Sequence, residues 1–147
     1  MSSGILVGYD GSECAKRALE VGVDMARIYG DKLLIAFGYE LNPVAGEMAD
    51  YAAALRDLAE SRLGEGKQLA AESGLEIEAV IVEAAPARAL TQLAEERDVR
   101  VVVIGTRGES PIRGALIGST AHKLLHLSER PVLVVPLTDA LRQRSLR

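Results

Sequence analysis

The chain has 147 residues, 48% hydrophobic and 26% charged, a globular composition that excludes a disordered segment. Its formal net charge of −4 argues against a general nucleic-acid surface, and no apolar run reaches the ~18 residues a membrane helix needs. Only 3% of the residues are aromatic, so the core has to be built from Val, Leu, Ile and Ala.

Strand-like and helix-like segments alternate from end to end. Ile5 to Tyr9 is a short apolar run stopped by Asp10-Gly11, and no basic region precedes it, which predicts a cytoplasmic protein without a secretory signal. Ser12 suits the cap of a helix whose Ala15, Ala18, Leu19, Gly22 and Ala26 share one face. Cys14, the single cysteine, lies in its first turn; one thiol makes no intrachain disulfide and fits a reducing compartment. Gly30-Asp31 ends that helix, and Lys32 to Tyr39 is the second strand. Asn42-Pro43 and Gly46 mark a loop.

A long helix is predicted from about Glu47 to Glu72, with Leu55, Leu58, Ala59, Leu63, Leu69 and Ala70 inward. Gly64 and Gly66 weaken it, each by ~1 kcal/mol relative to Ala. Leu75 to Glu83 is the third strand, with Ile77, Ala79 and Ile81 on one face. Pro86 opens a helix reaching Arg97, and Leu90, Leu93 and Ala94 are its buried positions. The fourth strand is Arg100 to Ile104, the last helix starts near Ser119 with Ala121, Leu124, Leu125 and Ser128 inward, and Pro131 to Pro136 is the fifth strand. Strands apolar on both faces and separated by crossover helices imply a parallel sheet covered on both sides, an α/β doubly wound fold. Length and the absence of a linker predict one domain over residues 1–147, its last residues from Arg142 a frayed tail.

Function concentrates in the last third. Gly105-Thr106-Arg107-Gly108 follows the most hydrophobic strand, and Gly118-Ser119-Thr120 opens the next helix. Such a loop presents backbone N–H groups, the positive end of a helix dipole and two hydroxyls to an anion, which predicts phosphate binding. Asp10 has two readings, a turn residue before Gly11-Ser12 or a ligand contact. Arg107 and Arg113 are either phosphate partners or solvated loop charges.

Gly105-x2-Gly108-x9-Gly118-Ser119 resembles the ATP-binding signature of the universal stress protein family. Val7 to Ser12 resembles that family's opening motif and Arg130 to Pro136 its closing strand, so the similarity covers residues 4–136 and leaves 137–147 as a tail. The resemblance implies a Rossmann-like, adenine nucleotide alpha hydrolase-like sheet of five parallel strands in the order 3-2-1-4-5, and a homodimer. In that order the topology switches between strands one and four, whose ends carry Asp10 and Gly105. It further implies that Gly105, Gly108, Gly118 and Ser119 hold the phosphates of ATP with help from Thr120, and that Asp10 accepts from ribose hydroxyls. Gly8, Gly38, Val82 and Ile104, near strand ends, would border the adenine. One departure stands out: Ala84 occupies the turn after the third strand, where the family often has glycine, and its methyl would crowd the adenine side or force a different turn. In the implied order residues 132–135 form a sheet edge, which two copies pairing across a twofold axis would cover.

Other motifs fail. Gly66-Lys67 resembles a Walker loop, but Ser61 stands where the first glycine belongs and Gln68 replaces Ser or Thr. His122 and His126 are one helical turn apart, yet Lys123 replaces a metalloprotease glutamate and no third ligand is evident, so no metal site is expected. No catalytic base or lysine attends the glycine loop, which predicts no catalytic residues and at most a slow ATPase, with ATP and any Mg2+ accompanying its phosphates as the ligand. An ATP-dependent stress-response regulator or sensor is the leading reading. An ATP-hydrolysing or phosphotransfer enzyme and a nucleotide-free dimerising scaffold are the alternatives, and the intact signature argues against the last.

Overall fold

A computed structural model describes residues 3–41, 48–107 and 117–137. In chain order the elements are β1 (Gly4–Gly8), α1 (Glu13–Tyr29), β2 (Lys32–Tyr39), α2 (Met48–Ala70), a 3-10 turn (Ala71–Ser73), β3 (Ile77–Glu83), α3 (Pro86–Glu96), β4 (Val101–Gly105), α4 (Ser119–Leu127) and β5 (Val132–Val135). The five strands form one parallel sheet in the order β3-β2-β1-β4-β5, with Leu6 opposite both Leu34 and Val102. This is the expected doubly wound topology. No helix of the described residues is long and apolar enough to cross a membrane.

Period-two alternation sorts the sheet into two cores. Ile5, Val7, Leu33, Ile35, Val101 and Val103 pack with Ala15, Ala18 and Leu19 of α1 and Leu63 and Ala70 of α2. Leu6, Leu34, Ala36, Val102 and Ile104 face the other way, onto Leu90, Leu93 and Ala94 of α3 and Ala121 and Leu124 of α4. Each fully buried Leu, Ile or Val contributes ~1.5–3 kcal/mol, and the central strands β1 and β4 bury nearly every side chain.

Local chemistry sets the boundaries. The Ser12 hydroxyl accepts from Ala15 N–H at 3.2 Å and caps α1, whose far end closes on Gly30 in the left-handed conformation at φ 69°. Pro86 starts α3. Three expected inward residues prove exposed: Leu58 (40%), Leu69 (56%) and Leu125 (50%). On α2 the buried stripe runs Ala59, Leu63, Gly66, Ala70, a spacing of four, three and four that leaves Leu58 and Leu69 beside it. On α4 the same rule turns Ala121 and Leu124 inward and Leu125 out. Ala79 points to the expected side of β3 but is exposed, because β3 lies at the sheet edge. Gly66, scored from sequence as a weakness in α2, instead admits the ring of Tyr9: a Cβ there would lie 3.1 Å from Tyr9 Cδ1.

Candidate functional site

Strand order reverses between β1 and β4, and their carboxyl ends open into a cavity of ≈ 320 Å³. One wall is largely apolar, built from Gly8, Ala36, Phe37, Gly38, Pro86, Leu90 and Ile104. The opposite wall carries Asp10, Ser12, Thr106 and the first turn of α4, Gly118 to Ala121. Arg107 stands exposed at the rim. The fold thus brings together Gly8, Asp10, Gly38, Ile104, Gly105, Arg107, Gly118, Ser119 and Thr120 from the sequence-derived set. Val82 does not join them; it packs against the core that contains Leu6, Leu34 and Leu90. Gly108 and Arg113 lie outside the described residues.

The polar wall begins where β4 ends. Thr106 N–H donates to the Val135 carbonyl at 3.1 Å and so extends the β4–β5 pairing by one bond. The Thr106 carbonyl in turn accepts from Gly118 N–H, which ties the two ends of the intervening segment together at its base. Gly118 is the N-cap of α4 in extended geometry (φ −72°, ψ 169°) and supplies no side-chain cap. The first-turn N–H groups of α4 therefore meet the cavity wall at the positive end of a helix dipole, equivalent to roughly half an elementary charge. The Ser119 and Thr120 hydroxyls add donors beside them.

Glycine at 105 answers a packing demand first. A Cβ there would fall 2.7 Å from Cys14 Cβ and 2.8–2.9 Å from the Cys14 carbonyl carbon and oxygen, so α1 rests directly on the end of β4. Cys14 itself is buried, with its Sγ 3.9 Å from Thr106 Oγ1. At Gly38 a Cβ would meet the Ala84 carbonyl and Pro86 Cα, both at 3.0 Å, which lets the β3–α3 turn close the apolar wall. Ala84 neither lines the cavity nor takes a positive φ, so its methyl forces no strained turn and does not crowd the wall.

Asp10 makes the turn contact and also faces the cavity. Its Oδ1 accepts from Ser12 N–H at 2.9 Å, and the residue lines the cavity along with the first turn of α4. Beside it Tyr9 is 2% exposed and donates its hydroxyl to Glu65 Oε1 at 2.7 Å. Burial, reinforced by Glu65, pushes that phenol well above its usual range and keeps it a donor. Sequence reasoning missed Ser12, Thr106, Pro86 and Leu90 as wall residues. Thr106 was visible inside the glycine pair, whereas Pro86 and Leu90 reach the site only through the placement of α3. His122 and His126 are exposed on α4 with ring centroids 4.8 Å apart, and among the described residues no group of three or more metal-binding side chains assembles.

The profile of the universal stress protein family matches residues 1–136. The chain belongs to that family. A Thermus aquaticus relative, the universal stress protein in QAH/OAS sulfhydrylase 3′region, is 32% identical over 89% of this chain and 96% of its own. Among solved structures, a universal stress protein in complex with cAMP is 30% identical and superposes with a TM-score of 0.72 over 93% of this chain and 98% of that one. UspA of Lactobacillus plantarum, at 18% identity and a TM-score of 0.81 over 90% of this chain and 97% of its own, shares the fold.

Proposed function

We propose that this universal stress protein binds ATP in the β1–β4 crevice and serves in the cytoplasm as a nucleotide-dependent regulator of a stress response. The observation that carries the reading is the N-terminus of α4, given no side-chain cap by Gly118, lining one cavity together with Asp10. In this reading the backbone at Gly105, Gly108, Gly118 and Ser119, with the Ser119 and Thr120 hydroxyls, holds the phosphates. Asp10 accepts from ribose hydroxyls, and Gly8, Gly38 and Ile104, joined by Leu90 and Pro86, enclose the adenine. A cAMP complex in a relative 30% identical supports an adenine nucleotide as the ligand class. In the same reading Arg107, exposed and among the cavity-lining residues, pairs with a terminal phosphate.

Mg2+ would enter with the triphosphate, since that ion is often held through substrate phosphates and few protein oxygens. Asp10, Ser12, Thr106, Ser119 and Thr120 are the side-chain oxygen groups of the polar wall. No lysine or histidine lines the cavity among the described residues, which supports slow turnover at most. ATP would then act by favouring one conformational or dimeric state, to the extent of its differential affinity for the two.

A homodimer through residues 132–135 belongs to the same proposal. β5 is the last strand of the sheet, and Leu133 is 37% exposed on it. Val134 packs against the core, so Leu133→Lys is the cleaner probe of this edge. Sedimentation should show a wild-type dimer and a Leu133→Lys monomer; an unchanged monomer in both rules out this interface.

The test of the ligand is direct. Purified protein is denatured and its released small molecules separated by chromatography, then emptied protein is titrated with ATP, ADP and AMP. Retained nucleotide or saturable ATP binding is expected. Neither retention nor binding at millimolar ATP would overturn the reading. Saturating turnover abolished by Asp10→Ala would instead favour the enzyme.

A further inference from the structure

The turn that carries Asp10 is braced from outside by a short segment of α2. On one side of Asp10, Tyr9 N–H donates to the Ala36 carbonyl at 3.0 Å and the Tyr9 hydroxyl reaches Glu65. On the other side, Gly11 adopts φ +86°, and a Cβ there would meet Arg62 Cδ at 2.8 Å. Glu65 is itself held, with Lys16 Nζ at 3.7 Å and Arg62 Nη1 at 3.9 Å. Neither Arg62 nor Glu65 lines the cavity. Both neighbours of Asp10 thus lie against side chains of a helix that contributes no residue to the cavity lining.

We propose that Glu65, acting through Tyr9, is a positioning residue that sets the cavity's preference for ribose over 2′-deoxyribose nucleotides. The proposal rests on the reading that Asp10 accepts from ribose hydroxyls. Hydrogen bonds to a carboxylate weaken steeply with distance and angle, so a turn relaxed by a few tenths of an ångström loses the sugar contact. The phosphate contacts come from α4 and the end of β4, which Glu65 does not brace. Loosening the Tyr9–Glu65 bond therefore falls selectively on recognition of the 2′-hydroxyl.

The experiment is calorimetric titration of ATP and 2′-deoxy-ATP into wild type, Tyr9→Phe, Glu65→Ala, Glu65→Gln, Asp10→Ala and Arg56→Ala. Arg56 sits in an exposed α2 pair with Glu60 and serves as the control. Wild type should prefer ATP by about tenfold, the worth of one hydrogen bond to a charged group, and Asp10→Ala should erase the preference. Tyr9→Phe and Glu65→Ala should shrink the ratio by about three- to fivefold while leaving 2′-deoxy-ATP affinity unchanged. Glu65→Gln, which keeps an acceptor oxygen, should restore most of the ratio, and Arg56→Ala should keep it whole. A ratio that survives Tyr9→Phe and Glu65→Ala but not Asp10→Ala overturns the positioning role and leaves nucleotide binding standing. Equal loss of both nucleotides in those variants overturns it as well, since that is general destabilisation. A wild type that binds nucleotide without preference removes the ribose role of Asp10 and this proposal together. A wild type that binds neither nucleotide overturns the functional reading itself.

Discussion

The two ends of the sheet treat polar groups in opposite ways. At the amino ends of the strands, charges are met by protein partners. Asp31, whose side chain is 1% exposed, accepts from Arg100 Nε at 2.7 Å and from Ser3 N–H at 3.1 Å, and the Arg100 guanidinium lies 4.2 Å over the Tyr29 ring. Glu78 pairs with Arg97 and Lys32, and Arg130 with Glu95 and Asp98. At the carboxyl ends, the β4–α4 junction carries glycines and, among the described residues, a first helix turn without a side-chain cap, beside a cavity. One end spends its hydrogen bonds within the fold; the other leaves donors at a wall where a ligand can take them.

The largest test of this contrast is Gly105→Val, which attacks the place where site and core coincide. A side chain there meets the backbone of Cys14 within 2.8–2.9 Å, so α1 must move. Overpacking of this kind costs ~1–3 kcal/mol, and the rigid backbone partner argues for the upper end. Urea unfolding should show the loss in midpoint. A neutral result would mean that α1 does not rest on β4 as described.

Gly118→Asp should separate the two properties. Its extended backbone accepts any residue, and an aspartate N-cap satisfies first-turn N–H groups, gaining a few tenths of a kcal/mol over glycine. The same carboxylate occupies and repels the anion position, so ATP affinity should fall by ~10–100-fold, the loss of one or more charge-assisted bonds. Calorimetry alongside thermal melting checks both signs; a variant that gains stability and still binds ATP as wild type would place the phosphates elsewhere.

At the opposite end the expected pattern inverts. Asp31→Asn keeps the shape but weakens the bonds to Arg100 and Ser3, costing ~1–2 kcal/mol of stability. ATP affinity at the carboxyl ends should be unchanged. A matched fall in binding would show that the two ends are coupled through the sheet.

Much of this division was legible in the sequence, for local reasons. Runs such as Val101-Val102-Val103-Ile104 have few alternatives to a buried parallel strand, and Ser12, Gly30 and Pro86 fix helix ends through contacts made nearby. The spacing of Gly105, Gly118 and Ser119 pointed to the cavity because the end of β4 and the start of α4, joined by the Gly118–Thr106 hydrogen bond, both line it. Contacts between distant segments left no such trace. Gly66 reads as a helix defect until β1 brings Tyr9 against it, and Leu90 reads as core until Gly8 draws it to the cavity. Leu58, Leu69 and Leu125 failed because adjacent apolar positions on a helix cannot all face inward, and Ala59, Ala70 and Leu124 beside them took the buried places.

The smallest expected effect concerns pH, and it too belongs to the amino end. The bond from Arg97, aided by Lys32, lowers the Glu78 carboxyl below its ordinary value of 4.5. A depressed folded-state pKa means that the unfolded chain binds the proton more readily, so stability is present above the unfolded value and drains away as pH falls through the folded one. Glu78 and its partners are partly exposed, and such pairs contribute only ~0.2–1 kcal/mol even when well formed. Glu78→Gln should therefore melt slightly below wild type at neutral pH and converge with it in acid, once pH has fallen through the lowered Glu78 pKa and both side chains are neutral. Melting curves collected from neutral pH downward measure that convergence. A gap that persists in acid would assign the Glu78 contribution to packing and hydrogen-bond geometry in place of charge.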